Sequence, residues 1–120
     1  MKYTFYDFEG KAVSYIDNDE IIYLFEGKPV GYFENDAVHS IAGHHLGWFE
    51  DGWVRDLRGR RVFFTESATG KGPVPPAKHT KPVKGAKQPV KTKGDQHSKK
   101  MKPPISSSWS ALSGEMYFYQ

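Results

Sequence analysis

The chain is short, slightly basic and free of cysteine. Its 120 residues, formal net charge of +3 and hydrophobic fraction of 38% indicate one small folded domain with part of the chain outside the core. The lack of cysteine excludes a disulfide framework, a thiol nucleophile and a thiolate metal site. The first residues do not resemble a secretory signal, and no apolar run is long enough to span a membrane. We therefore expect a soluble, cytoplasmic protein without membrane contact.

Charge is distributed unevenly along the chain. Residues 1–66 hold seven Lys and Arg against twelve Asp and Glu, whereas residues 71–102 hold ten Lys against one Asp. Two segments of opposite sign predict either a contact between them, within one chain or between subunits, or a basic arm that binds a polyanion.

The first half of the chain is a four-fold repeat centred on glycines. The four glycines lie 17, 16 and 16 residues apart, at Gly10, Gly27, Gly43 and Gly59. Turn-forming residues separate the units, and a period this short, rich in aromatic and β-branched residues, predicts a β-hairpin in each unit. We predict about eight strands, at residues 2–8, 11–16, 20–25, 28–33, 37–41, 44–49, 53–57 and 60–65.

The turn at each glycine decides which side chains share a face of the sheet. A two-residue turn at Glu9-Gly10 would pair Tyr6 with Val13, whereas a bulged loop would shift this register by one residue and exchange the faces. Small residues at equivalent positions, Ser14, Gly31 and Gly47, predict a close approach of backbones or rings. Four hairpins bury little surface individually, so we expect an all-β, closed, pseudo-four-fold arrangement that leaves no strand edge free.

Several features together resemble a known family. They are the aligned units, the run Gly43-His-His-Leu-Gly-Trp-Phe-Glu50, the spacing Lys81-Pro-Val-Lys84-Gly-Ala-Lys87-Gln and the terminal Ser108-Trp109-Ser110. This combination resembles the four-fold beta-flower domain of uncharacterised bacterial proteins, and the resemblance covers nearly the whole chain. It implies a flower-like arrangement of the four hairpins. It implies no activity, so no catalytic residue is transferred to this chain.

The repeats, which we delimit at residues 1–66, are followed by a Lys/Pro/Gly-rich arm at residues 67–104. Its prolines exclude a helix or a central strand, so the arm is extended or disordered. Four lysines recur every third residue, the period of a polyproline II helix, and would form one stripe. The candidate polyanion-binding residues are Lys78, Lys81, Lys84, Lys87, Lys91 and Lys93. The alternatives are a solvated linker and an arm that lies on the acidic repeats.

Residues 105–120 return to an aromatic composition. A free tail with Trp109, Met116 and three C-terminal aromatic residues would expose a large apolar surface. We therefore expect this segment to dock on the repeats, either of its own chain or of another subunit.

Neither a metal site nor an active site is indicated. The assumed hairpin places His39 and His44 on one face and His45 on the other, but two ligands do not make a zinc site. The acidic residues lie in predicted turns, where they are common, and no serine lies in a nucleophile elbow. The sequence therefore predicts no catalytic residue, metal ion or cofactor.

A non-enzymatic interaction module, which assembles subunits or holds a protein partner, is the function that these patterns favour. Binding of nucleic acid or another polyanion by the arm is one alternative. Carbohydrate binding by exposed aromatic residues is another. Trp53 has no aromatic counterpart in the other units, and we expect it to be the aromatic residue that faces a ligand.

Overall fold

The computed structural model describes residues 2–17, 19–69, 75–90 and 93–120. Within them the chain forms eight strands and one short 3-10 helix. The strands are β1 (Tyr3–Tyr6), β2 (Ala12–Ile16), β3 (Ile21–Leu24), β4 (Pro29–Glu34), β5 (Ala37–Ser40), β6 (His45–Glu50), β7 (Trp53–Asp56) and β8 (Arg61–Phe64), and the helix is Glu115–Tyr119. The eight predicted strands are thus confirmed.

The strands form a closed antiparallel barrel in chain order. Each strand pairs with its neighbour in sequence, and β8 returns to β1, where Tyr6 pairs with Phe64. Beside this seam the Glu66 carboxylate accepts a hydrogen bond from the backbone N–H of Thr4 at 3.2 Å. Each of the eight described strands therefore has a paired neighbour on both sides. The expected all-β, pseudo-four-fold, closed arrangement is therefore confirmed.

A β-bulge follows the loop of every hairpin. In the first hairpin Phe5 pairs with Ser14, as a two-residue turn predicts, but Tyr6 pairs with Ala12 and not with Val13. The same one-residue shift recurs in the other three hairpins. Gly10 has a φ of +85° and ends a three-residue loop, in which the Asp7 carbonyl accepts the N–H of Gly10 and the Asp7 N–H donates to the carbonyl of Lys11. The bulged residue is Val13, three positions further on. The prediction of a simple two-residue turn is therefore wrong next to the loop.

The bulge sorts the side chains into an inner and an outer set. Bulged residues of units two to four join the interior cluster, which consists of Phe5, Ile16, Ile22, Leu24, Val30, Phe33, Val38, Leu46, Val54, Val62 and Phe63 together with Tyr117 and Phe118. The strand aromatics Tyr6, Tyr15 and Tyr23 belong to separate clusters. The outer face therefore carries rings that the interior does not use.

The small residues predicted at equivalent positions lie where neighbouring strands come close. A Cβ on Gly47 would be 1.8 Å from the carbonyl oxygen of Arg55 and 2.5 Å from the hydroxyl of Tyr117. A Cβ on Gly31 would be 2.7 Å from the carbonyl oxygen of His39. These positions admit only glycine at the observed backbone separation.

The C-terminal segment fills the barrel from its hairpin-loop end. Tyr117 and Phe118 are buried, and their ring centroids lie 5.7 and 5.6 Å from that of Phe63. Burial raises the pKa of the Tyr117 hydroxyl well above its ordinary value. The Ser113 hydroxyl accepts a hydrogen bond from the N–H of Phe8 and donates one to the carbonyl of Val62. The expected docking of this segment is confirmed, and it occurs on the repeats of the same chain.

Candidate binding surface

The arm follows the barrel in steps of nine residues. Four N–H groups at intervals of nine residues donate to the carbonyls of Gly10, Gly27, Gly43 and Gly59 at 2.9, 2.9, 2.8 and 3.1 Å. They belong to His79, Gln88 and His97 of the arm and to Ser106 just beyond it. One nine-residue step of the arm therefore matches one hairpin unit of the barrel. Among the alternatives left open by the sequence, the structure shows the arm lying on the acidic repeats.

Two arm glycines allow the backbone to approach the hairpin loops. The N–H of Gly85 donates to the carbonyl of Phe25 at 2.6 Å, and the N–H of Gly94 donates to that of Ile41 at 2.9 Å. A Cβ on Gly94 would lie 1.9 Å from the carbonyl oxygen of Ala42. A side chain at either position would push the arm away from the barrel.

Three lysines, also nine residues apart, lie over three outward-facing rings. The Nζ atoms of Lys84, Lys93 and Lys102 are 4.2, 4.4 and 5.1 Å from the ring centroids of Tyr15, Tyr32 and Trp48, respectively. These rings occupy the same position in the first three units, near the ends of β2, β4 and β6. An ammonium group over an aromatic face at this distance makes a favourable cation–π contact.

A carboxylate follows each of these rings by two residues. Because side chains two apart on a strand share a face, ring and carboxylate form one small cation-binding site, which we call a ring–carboxylate subsite. The three subsites are Tyr15/Asp17, Tyr32/Glu34 and Trp48/Glu50.

Each subsite holds arm lysines by ion pairs. Asp17 contacts Lys84 at 3.3 Å and Lys87 at 3.0 Å. Lys102 contacts Glu50 at 2.7 Å and also Asp36 at 2.7 Å. The carboxylate of Glu34 pairs with Lys99 at 3.8 Å and also accepts a hydrogen bond from the amide of Gln96.

The ion pairs shift the pKa values of these groups. Burial raises the pKa of Asp17, but hydrogen bonds from Lys87 and Lys84 outweigh burial and hold the pKa below its ordinary value. A hydrogen bond from Lys102 lowers the pKa of Asp36. The same bond, together with a second that Lys102 donates to Glu50, raises the pKa of Lys102. Asp17, Asp36 and Lys102 therefore stay charged at neutral pH.

The fourth unit differs from the other three. The ring of Phe64 is covered by Trp109, at a centroid distance of 6.3 Å, and not by a lysine. The segment around Trp109 is held on β8, because the N–H of Arg61 donates to the carbonyl of Ser108 and the N–H of Ser110 donates to the carbonyl of Arg61. The fourth ring is therefore closed off by an aromatic side chain.

Trp53 does not face a ligand. It is only 2% exposed, because Trp109 packs against it at 5.7 Å and the Arg61 guanidinium lies 4.1 Å from its ring centroid. Its indole N–H donates to the carbonyl of Thr69 at 3.0 Å. The expectation that Trp53 faces outward towards a ligand is therefore wrong, because its ring packs against Trp109 of the C-terminal segment.

The predicted lysine stripe is divided among several contacts. Lys84, Lys87 and Lys93 bind rings and carboxylates of the barrel, while Lys78 lies 5.8 Å from the ring centroid of Tyr6. Lys81 is exposed and lines a polar cleft of about 190 Å³ beside Lys84. Lys91 lies outside the described residues. The contacts that repeat have a period of nine residues, and not the three of the predicted stripe.

The histidines are paired differently from the prediction. The bulge brings His39 and His45 together, with ring centroids 5.3 Å apart, while His44 lies 4.6 Å from His97. The Nδ1 atom of His45 accepts the backbone N–H of Lys100 at 3.0 Å, and its Nε2 atom lies 2.9 Å from the carbonyl oxygen of Gly47. Within the described part of the chain, no three His, Asp or Glu side chains form a metal-binding group.

The sequence contains two signals for this surface that the three-residue lysine spacing hides. An aromatic residue five positions after the central glycine, followed two positions later by Asp or Glu, occurs in every unit, at Tyr15/Asp17, Tyr32/Glu34, Trp48/Glu50 and Phe64/Glu66. In the arm, Lys84-Gly85 and Lys93-Gly94 lie nine residues apart. Aligning either pattern with the four hairpin units identifies the ring–carboxylate subsites.

The fold and this surface together define a class of protein: a closed barrel of four β-hairpins with a basic arm bound along its outside. Residues 3–118 match the family described as 4-fold beta flower protein, and the chain belongs to that family. No curated protein and no solved structure gives a significant match. In the described residues there is no helix of the length and apolarity needed to cross a membrane.

Proposed function

We propose that this protein is a non-enzymatic interaction module whose barrel holds an extended, lysine-rich segment on its outer face. In this role it assembles subunits or holds a protein partner. The observation that carries the proposal is the placement of Lys84, Lys93 and Lys102 on three equivalent rings. A repeated contact of this kind is the signature of a surface that recognises a repeating segment.

The electrostatics support a binding role over a catalytic one. The shifted pKa values of Asp17, Asp36, Lys87 and Lys102 arise from their mutual ion pairs at the surface. Such pairs hold a segment in place and keep their charges fixed. A general acid or base instead needs a pKa tuned towards the working pH.

The two alternative functions have less support from the contacts. To bind a polyanion, Lys84, Lys87 and Lys93 would first have to leave the rings and carboxylates of the barrel. To bind a carbohydrate, Tyr15, Tyr32 and Trp48 would have to lose the lysines that cover them. We also infer a bacterial protein that works in the cytoplasm, as expected from the sequence. The lack of cysteine supports a reducing compartment.

Hydrogen exchange tests whether the lysines hold the arm. We compare the full-length chain with a variant carrying Lys84→Gln, Lys93→Gln and Lys102→Gln, which we call the arm-weakened chain. Three surface contacts of about 0.5–1 kcal/mol each give a loss of roughly 2 kcal/mol. The arm N–H groups of Gln88 and His97 should then exchange about 30-fold faster.

The matched control is a variant that carries Lys81→Gln and Lys100→Gln. These two arm lysines make no ion pair or ring contact among the described residues. It removes two charges from the same segment, so it measures the effect of arm charge alone. We expect little change in exchange. Equal exchange in the control and the arm-weakened chain would contradict the proposal, because the lysines would then not hold the arm.

A further inference from the structure

The contacts that hold the arm have the character of an exchangeable association. The side chains of Lys84 and Lys102 remain 48% and 43% exposed while they contact the barrel. The remaining contacts include backbone hydrogen bonds to loop carbonyls, which an extended segment of another chain can also make if it has glycine at the two close approaches. Nothing in these contacts requires that the bound segment belong to the same chain.

We propose that the ring–carboxylate subsites bind, in trans, an extended lysine-rich segment of a partner protein whose Lys-Gly pairs lie nine residues apart, and that the chain's own arm occupies this surface as an internal mimic. This inference rests on the proposed function and specifies the partner. The arm then competes with the partner, and binding requires that the arm be displaced.

The chemistry of the subsites selects lysine. Each subsite offers one aromatic face and one carboxylate, which suits a compact ammonium group on a flexible stem. The barrel segment as a whole carries twelve acidic against seven basic residues, so a basic partner is attracted over longer distances.

The hairpin loops restrict the residue that comes directly after the lysine. At Gly85 and Gly94, an added Cβ would lie 2.5 and 1.9 Å from the carbonyl oxygens of Glu26 and Ala42. A partner therefore needs a residue without a side chain at this position in each of these two steps. This requirement, together with the nine-residue spacing, distinguishes the partner from a merely basic peptide.

A labelled synthetic peptide of residues 84–102 is the probe, and the arm-weakened full-length chain is the receptor. Fluorescence anisotropy measures binding. The matched peptide exchanges Thr92 and Lys93, so that composition and charge are unchanged while one cation moves by one residue. Because neighbouring side chains of an extended segment point in opposite directions, this exchange removes the contact of Lys93 with the Tyr32 ring.

We expect the exchanged peptide to bind about two- to fivefold more weakly than the native peptide, because it loses one of the three lysine–ring contacts. The intact chain should bind the native peptide at least tenfold more weakly than the arm-weakened chain, because a tethered arm competes at an effective concentration in the millimolar range. Adding Asp17→Asn and Glu50→Gln to the receptor should reduce binding of the native peptide by a similar factor.

Two results would overturn the inference. Equal binding of the two peptides would show that only net charge is recognised. Absence of binding by either peptide, with an arm that hydrogen exchange has shown to be loosened, would show that no segment with these Lys-Gly pairs binds in trans. The hold of the barrel on its own lysine-rich arm, which hydrogen exchange measures, would stand. Failure of the proposed function itself is recognised separately, by unchanged exchange of the arm in the arm-weakened chain.

Discussion

Phe118 provides a direct test of how the barrel is completed. It is 4% exposed and stacks on Phe63 with a centroid distance of 5.6 Å and an interplanar angle of 16°. Phe118→Ala removes a buried ring from the centre of the interior cluster. Substitutions of this kind cost about 3–5 kcal/mol, a large part of the roughly 5–15 kcal/mol that stabilises a domain. With a slope of about 2 kcal/mol per molar urea, the urea midpoint should fall by about 1.5–2.5 M.

Met116→Ala is the matched control, because Met116 lies in the same 3-10 helix but is 66% exposed. Its urea midpoint should stay close to that of the unchanged chain, since exposed substitutions usually alter stability by less than about 0.5 kcal/mol. Unfolding is followed by tryptophan fluorescence and, independently, by circular dichroism. Equal midpoints for the two variants would refute the reasoning, because the C-terminal helix would then contribute nothing to the core.

Three further predictions concern close packing, pH and loop geometry. Gly47→Ala should cost about 3 kcal/mol in urea unfolding, because the new Cβ would lie 1.8 Å from the carbonyl oxygen of Arg55; an unchanged midpoint would contradict this packing. Burial lowers the pKa of His45, so the unfolded chain binds the extra proton first, and stability should fall as pH drops below about 6.5. In His45→Gln this decline between pH 7 and 5.5 should be shallower, and identical pH profiles would exclude a neutral buried ring. Asp56→Ala should cost about 1–2 kcal/mol, because the carboxylate accepts two loop N–H groups at 2.9 Å each; a loss below about 0.3 kcal/mol in thermal unfolding would contradict that role.

The prediction failed where a single residue changed the register. The repeats and their glycines predict four hairpins, because alternating aromatic residues between turn signals are a local property of the sequence. Whether Glu9-Gly10 forms a two-residue turn, or Gly10 ends a three-residue loop that is followed by a bulge, depends on the packing of the whole sheet. The bulge brings His45, and not His44, next to His39, and it moves Leu46 into the interior cluster. A one-residue difference in register thus altered the expected assignment of side chains to faces.

The candidate surface shows the same division. The acidic charge of the repeats and the basic charge of the arm can be counted in the sequence, and they predict a contact as one alternative. Local spacing does not determine which lysine contacts which ring. Lys84 and Tyr15 are far apart in the chain. They come together only because the arm, whose contacts repeat every nine residues, lies along a barrel whose units repeat every sixteen or seventeen residues. The role of Trp53 was misjudged for a related reason, since Trp109, which covers it, is distant in sequence.

Local sequence is enough to establish the four hairpins, the all-β class, the non-helical character of the arm and the need for the C-terminal segment to dock. Each of these follows from local propensity, from charge or from the cost of exposing apolar surface. The folded barrel sets the register after each loop, the closure of β8 on β1, the insertion of Tyr117 and Phe118 into the interior, and the assignment of lysines to subsites. These depend on contacts between distant residues, whose geometry exists only once the barrel has closed.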